Sequence, residues 1–316
     1  MSIGRKTDFT RRNVLTAGLV GAGWALTPTL LRAAAARMPE NPRQAMRRRV
    51  IPGTDEQLPV VGMGSSGSFE SVRSSSAEAL KEVMREFVRL GGELLDTSPT
   101  YGNAETNIAE MAKALGLRDQ LFMATKVNAP GAQAGKQQMA RSRELLDPID
   151  LMQVHNLVEL EAQWPTLKAM QADGAVRYIG FTHYQTDAFD HLARHMQEKA
   201  PDFVQLNYSI MTPEAEKRLL LLAQDQGIAV LANRNFNDGQ FFSQVKDQPL
   251  PDYAAEIDCH SWAQFALKYV LGHPAVTGVI PATSKPKHLR DNMQAGYGAL
   301  PDADLRKRMR KTLASL

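Results

Sequence analysis

The sequence has a single cysteine, Cys259, among 316 residues. That excludes an intramolecular disulfide framework and any zinc site built on several thiolates. It also lacks a broad field of one sign. The formal net charge is +3, and the surplus sits at the start, where Arg5, Lys6, Arg11, Arg12 and Arg32 face one acid, Asp8. Beyond residue 36 acids slightly outnumber bases, so no net positive charge remains to attract phosphodiesters, and nucleic acid is excluded as a partner. Internal repeats are absent, and low complexity is confined to one alanine run. With 43% hydrophobic and 22% charged residues, the chain has the means to bury a sizeable core, which excludes a disordered protein.

What is present begins with a three-part leader. Thr10-Arg11-Arg12-Asn13 precedes an uncharged stretch, 14–31, and the small residues Ala33–Ala36 follow. Basic, apolar and small-residue segments in that order make a secretory signal, and the paired arginines resemble a twin-arginine signal. Residues 1–36 are therefore expected to engage the export machinery and be cleaved near Ala36, leaving the protein in the periplasm. As a helix the apolar stretch would extend about 27 Å, near the ~30 Å bilayer core, so an uncleaved leader is the one route to a lasting membrane contact. Its three glycines, three threonines and proline argue against that use. Residues 37–48 are polar and contain two prolines, which reads as a linker.

From residue 49 to 316 the pattern is periodic and gives one domain. Short apolar runs occur at 58–63, 93–97, 121–127, 150–155, 176–181, 203–208, 228–233 and 277–281. Helical periodicity fills the intervals, as in Leu80, Val83, Met84 and Phe87 on one face. Gly116, Gly174 and Gly227 stand where helix C-caps belong. Eight strands alternating with helices imply parallel pairing and fit a (β/α)8 barrel of the TIM type. Residues 50–58 fit an N-terminal β-hairpin closing its bottom, and 301–314 a short C-terminal helix. A doubly wound open sheet is the alternative, set aside because no Gly-x-Gly-x-x-Gly is read after any strand.

In such a barrel the reactive groups lie at the C-terminal ends of the strands. The second strand ends in Asp96, the third in Lys126 and the fourth in His155, with Tyr101 in the loop after Asp96. Apolar strands that each end in a different ionisable residue are poorly explained by packing. Together the four groups suit proton delivery to a polarised carbonyl. The ammonium is expected to lower the phenol's pKa, the carboxylate to hold the ammonium, and a neutral histidine to orient the oxygen.

These residues resemble the aldo-keto reductase family. Leu95-Asp96-Thr97-Ser98-Pro99-Thr100-Tyr101-Gly102 is similar to its Asp/Tyr segment, Ala124-Thr125-Lys126 to its lysine and Gln153-Val154-His155-Asn156 to its histidine. The resemblance implies an NADP-dependent oxidoreductase, with NAD as the alternative, that reduces an aldehyde or ketone by hydride transfer with Tyr101 as acid. It also implies a cofactor site: Gly62, Met63 and Gly64 after strand one, Gln205 in strand six, Thr283, Ser284 and Lys285 at the phosphates, and Asn292 near the adenine. Two departures stand out. Thr182 and His183 replace the Ser-Asn pair that holds the nicotinamide amide. Asn233 takes the place of a stacking tyrosine, followed by Arg234, which is expected at the pyrophosphate. No metal is implied. A non-catalytic cofactor-binding or regulatory protein on the same barrel is the main alternative. A metal-dependent hydrolase using Asp96, His155 and His183 is a weaker one.

Overall fold

The computed structural model describes residues 45–316. The export signal and residues 37–44 of the expected linker lie outside the described residues. Eight parallel strands form one sheet in sequential order: β3 (Met63–Gly64), β4 (Leu94–Asp96), β5 (Phe122–Val127), β6 (Ile149–Val154), β7 (Val176–His183), β8 (Phe203–Asn207), β9 (Ala229–Asn233) and β10 (Val276–Val279). Parallel bridges Val61 to Val279 and Gly64 to Ala282 join the first strand to the last and close a (β/α)8 barrel. The closure needs glycine. A Cβ on Gly62 would stand 2.9 Å from the Leu94 carbonyl oxygen, and one on Gly64 2.8 Å from that of Ile280.

Helices α1 (Ser74–Arg89), α2 (Ala104–Leu115), α3 (Gly131–Leu146), α4 (Leu160–Ala172), α5 (Phe189–Lys199), α6 (Leu219–Gln226), α8 (Trp262–Leu271) and α9 (Pro286–Gln294) follow the strands in turn, and α10 (Ala303–Ala314) ends the chain. Gly116 and Gly227 terminate α2 and α6 at φ of +63° and +67°, where a side chain would be strained. The long connection from β9 to α8 holds an extra short helix, α7 (Gln240–Gln244), and a 3-10 turn, Asp252–Ile257. No helix among the described residues is long and apolar enough to cross a membrane.

The hairpin is present as β1 (Arg48–Val50) paired antiparallel with β2 (Gln57–Pro59). Its Ile51 and Leu58 are buried in one cluster with Leu94, Phe122, Leu151, Tyr178, Phe203 and Leu231, so it plugs the floor of the barrel. This moves the linker boundary. Arg48 already opens β1 and binds Glu93 at 2.5 Å, because the hairpin needs that residue as a partner for Pro59. One further correction concerns Gly62-Met63-Gly64-Ser65-Ser66-Gly67. It carries the Gly-x-Gly-x-x-Gly spacing after all, but it leads through turns and bends, and α1 starts only at Ser74. The parallel order without reversal rules out the doubly wound sheet.

Candidate active site

Alternation along each strand decides which side chains enter the lumen. Leu94, Phe122, Leu151, Tyr178, Phe203 and Leu231 fill its lower part, while Leu95, Met123, Met152, Ile179, Val204 and Val230 pack outward against the helices. Counting on by twos brings Asp96, Lys126, Gln153, His155, Thr182, Gln205 and Asn233 to the inside, above the apolar floor. Asp96, Tyr101, His155, Thr182, Gln205 and Asn233 line a cavity of about 610 Å³ at the strands' C-terminal ends.

Lys126 is fully buried and donates to Asp96 Oδ2 at 2.5 Å and to the Thr97 carbonyl at 2.8 Å. Two glutamines complete the carboxylate: Gln153 Nε2 and Gln205 Nε2 donate to Asp96 Oδ1 at 3.1 and 2.9 Å. Burial alone would pull the ammonium's pKa down, but attraction to Asp96 more than offsets it and the net direction is up. The lysine is therefore charged at neutral pH. Its Nζ lies 5.1 Å from the centroid of the Tyr101 ring.

Tyr101 meets His155 edge to face, with ring centroids 5.7 Å apart. The expected lowering of its pKa is not found. Burial raises the phenol above its ordinary value, and the pull of Lys126 only partly offsets this. The phenol thus keeps its proton across the neutral range, as an acid requires. His155 is neutral, as expected: burial, then Lys126, lowers its pKa to about 3. Its Nδ1 is held by the hydroxyls of Ser98 at 3.2 Å and Thr100 at 3.3 Å, which leaves Nε2 for a ligand.

The folded-state pKa of His155 lies below its unfolded value near 6.5, so its contribution is complete above that pH and is lost as pH falls toward 3. Between pH 7 and pH 5 this one histidine should cost about 2 kcal/mol of stability. Urea unfolding at the two pH values checks it: His155→Gln should lose about that much less than the parent. An equal loss in both proteins would refute the buried neutral state.

The residues expected at the cofactor divide. Gly64, Thr182, Gln205 and Arg234 line the cavity, whereas Gly62, Met63, His183, Thr283, Ser284, Lys285 and Asn292 do not. Pleating explains two of these. Met63 points outward into the core beneath the helices, and so Gly62 and Gly64 serve the strand seam. His183 follows the inward Thr182, turns away, stacks on Tyr184 with centroids 5.9 Å apart and accepts from the Gln185 amide. Gln205 is bound to Asp96, and its Oε1 accepts from Asn233 at 3.3 Å. Thr283, Ser284 and Lys285 lie beyond the cavity wall formed by Ile280, Pro281 and Ala282, at the N-terminus of α9, where Pro286 is the first helical residue. Ser284 and Lys285 are exposed there. Asn292 is buried on the face of α9 that carries Leu289 and Met293.

Sequence reasoning missed Gln153, which holds Asp96, and Ser98 and Thr100, which hold His155, as well as Ser66, Asn156, Tyr184, Asn235 and Phe236 in the cavity wall. Gln153 was accessible to it, two positions before His155 on the same strand face. Among the described residues one group, Glu161, His195 and Glu198, has convergent metal-ligand atoms; it is on α4 and α5, and Lys199 already binds Glu161 at 2.6 Å. Asp96, His155 and His183 form no such group, which removes the support for a metal-dependent hydrolase.

A family model for the aldo/keto reductases matches residues 60–310. Pyridoxine 4-dehydrogenase of Escherichia coli is 28% identical over 235 residues, covering 67% of this chain and 79% of that protein. An aldo-keto reductase of Mycolicibacterium smegmatis is 30% identical over 139 residues, which span 41% of this chain and only 46% of its own length. Among solved structures, an aldo-keto reductase from Bacillus halodurans in its holo form superimposes with a TM-score of 0.69 at 22% identity, covering 85% of this chain and 96% of that one. One from Klebsiella pneumoniae, in complex with NADP and acetate, gives 0.67 at 20% identity over 84% and 94%. The family match begins before β3 and ends within α10, so it takes in every barrel strand, and the fold agrees: the chain belongs to the aldo/keto reductase family.

Proposed function

We propose that the protein is an NADP-dependent reductase of an aldehyde or ketone with Tyr101 as general acid. The observation that carries this reading is the phenol of Tyr101 and the neutral ring of His155 on one cavity wall, over a buried Lys126–Asp96 pair. His155 Nε2 orients the carbonyl oxygen and Tyr101 hands it a proton. The Lys126 charge stabilises the phenolate left behind, and Asp96, fixed by Gln153 and Gln205, keeps the ammonium in place.

The residues present fit a dinucleotide. The cavity is large enough for a nicotinamide and a small carbonyl compound, and it opens between the loops after β9 and β10, the usual phosphate locus of a barrel. Thr182 would hold the nicotinamide amide and Arg234 the pyrophosphate. Thr283, Ser284 and Lys285, at a helix N-terminus whose first turn carries no acid, would hold the 2′-phosphate, with Asn292 toward the adenine. When bound, the cofactor supplies the hydride. The NADP bound by the Klebsiella pneumoniae relative supports this choice over NAD. The test is NADPH oxidation by the purified chain against a panel of aldehydes and ketones. Turnover of at least one is expected; tight NADPH binding with no turnover would leave a non-catalytic binding protein.

We propose also that residues 1–36 direct export to the periplasm by the twin-arginine route, which carries folded proteins and so lets the cofactor load first. Changing Arg11 and Arg12 together to lysine should trap full-length precursor in the cytoplasm, read by fractionation and immunoblot. Normal export of the double variant would refute the route.

A further inference from the structure

The loop that follows β9 carries a charge pair inside the cavity wall. Arg234 and Asp238 both line the cavity and bind one another through Nη2 and Oδ2. The guanidinium also lies over the Tyr184 ring, 5.1 Å from its centroid. Its Nε is buried with no hydrogen-bond partner. Asp238 thus uses only one arm of a fork that is built to take two oxygens at once, as a phosphate would. The backbone is unusual as well: Arg234, Asn237 and Asp238 have φ of 53°, 46° and 53°, a left-handed conformation that costs non-glycine residues energy and collects in functional segments.

We propose that Asp238 is an internal competitor for the cofactor's pyrophosphate on Arg234, and that it thereby sets how tightly and how long the cofactor is held. This rests on the cofactor reading above. In the free protein the carboxylate keeps the guanidinium neutralised and aimed at the cavity. The pair is partly exposed, 29% for the arginine and 62% for the aspartate, and pairs of that kind hold weakly. A phosphate that fills both arms displaces the carboxylate at small cost, and the carboxylate stands ready to take the arginine back when the cofactor leaves.

The competitor and the scaffold make opposite predictions. If Asp238 merely props Arg234, removing its charge weakens cofactor binding. If it competes, removing its charge strengthens it. The full chain is titrated with NADPH by fluorescence, and release is timed by displacement with excess NADP. Asp238→Asn should bind NADPH about threefold to fivefold more tightly, mainly through slower release. Asparagine tolerates the left-handed backbone, and Asp238→Gly, which tolerates it too, should behave alike and guards against a folding effect. Arg234→Gln should weaken binding and erase the gain from Asp238→Asn in the double variant. Unchanged or weaker binding in both Asp238 variants, or a gain that persists without Arg234, would overturn the proposal. Failure of the unsubstituted chain to bind NADPH would overturn the cofactor reading and this with it; binding without the Asp238 effect overturns this alone.

Discussion

Tyr101→Phe is expected to lower carbonyl reduction by about 10²–10⁴-fold while NADPH affinity stays within about threefold. The substitution deletes one oxygen and keeps the ring that packs edge to face on His155. What it removes is the proton donor, and general acid catalysis is worth roughly 3–5 kcal/mol of barrier. The phenol suits that task because burial holds its pKa above the ordinary value of 10. It is protonated throughout the neutral range, so the parent's rate should be flat there and fall only in strong alkali, where the acid form disappears. Groups that would grip the cofactor lie on other loops, after β7, β9 and β10, and should not respond. Steady-state rates and an NADPH titration on the same preparations check both halves. Full turnover in Tyr101→Phe would remove the tyrosine from the mechanism, and a collapse of affinity would make it a structural residue.

The barrel was legible because its strands and helices carry different periods: seven of the eight apolar runs become one barrel strand each, and the first, 58–63, divides between the hairpin strand β2 and the barrel strand β3 with its bridge at Val61. The four ionisable groups were legible because such side chains at or just after the ends of apolar strands have no packing role. Less visible was everything that depends on which face a strand residue takes. Met63 and His183 were assigned by position in a motif, and both point outward because their inward neighbours, Gly64 and Thr182, take the lumen. A strict count of two along β6 and β7 would have exposed this for His183 and would have found Gln153. The phenol's pKa was misjudged for another reason. A neighbouring cation is visible in a sequence, whereas the burial that outweighs it is a property of the folded barrel. The turns of the β9–α8 connection were hidden because most of its left-handed positions, Arg234, Asn237, Asp238, Asp247 and Asp258, are held by residues other than glycine, with Gly239 the exception.

The second large effect concerns the pair beneath the site. Lys126→Met should destabilise the protein by about 3–5 kcal/mol, since it leaves the Asp96 carboxylate buried without its countercharge. Only Gln153 and Gln205 would still donate to it. Adding Asp96→Asn removes the stranded charge and keeps Oδ1 as the acceptor for both glutamines, so the double variant should recover at least half of the loss. It should nevertheless remain without carbonyl reduction, because no cation is left beside Tyr101. The two readouts therefore separate: stability returns and turnover does not. The pH dependence has a fixed sign as well. The folded-state pKa of Lys126 is raised, so its contribution is complete below about 10.5 and is lost as pH rises through the folded-state value. Parent protein should lose stability in that alkaline range, and Lys126→Met should lack that loss. Urea midpoints at pH 7 and pH 11 measure both. A cost below about 1 kcal/mol for Lys126→Met, or a double variant no more stable than the single one, would show that the pair is not held out of water as its burial requires.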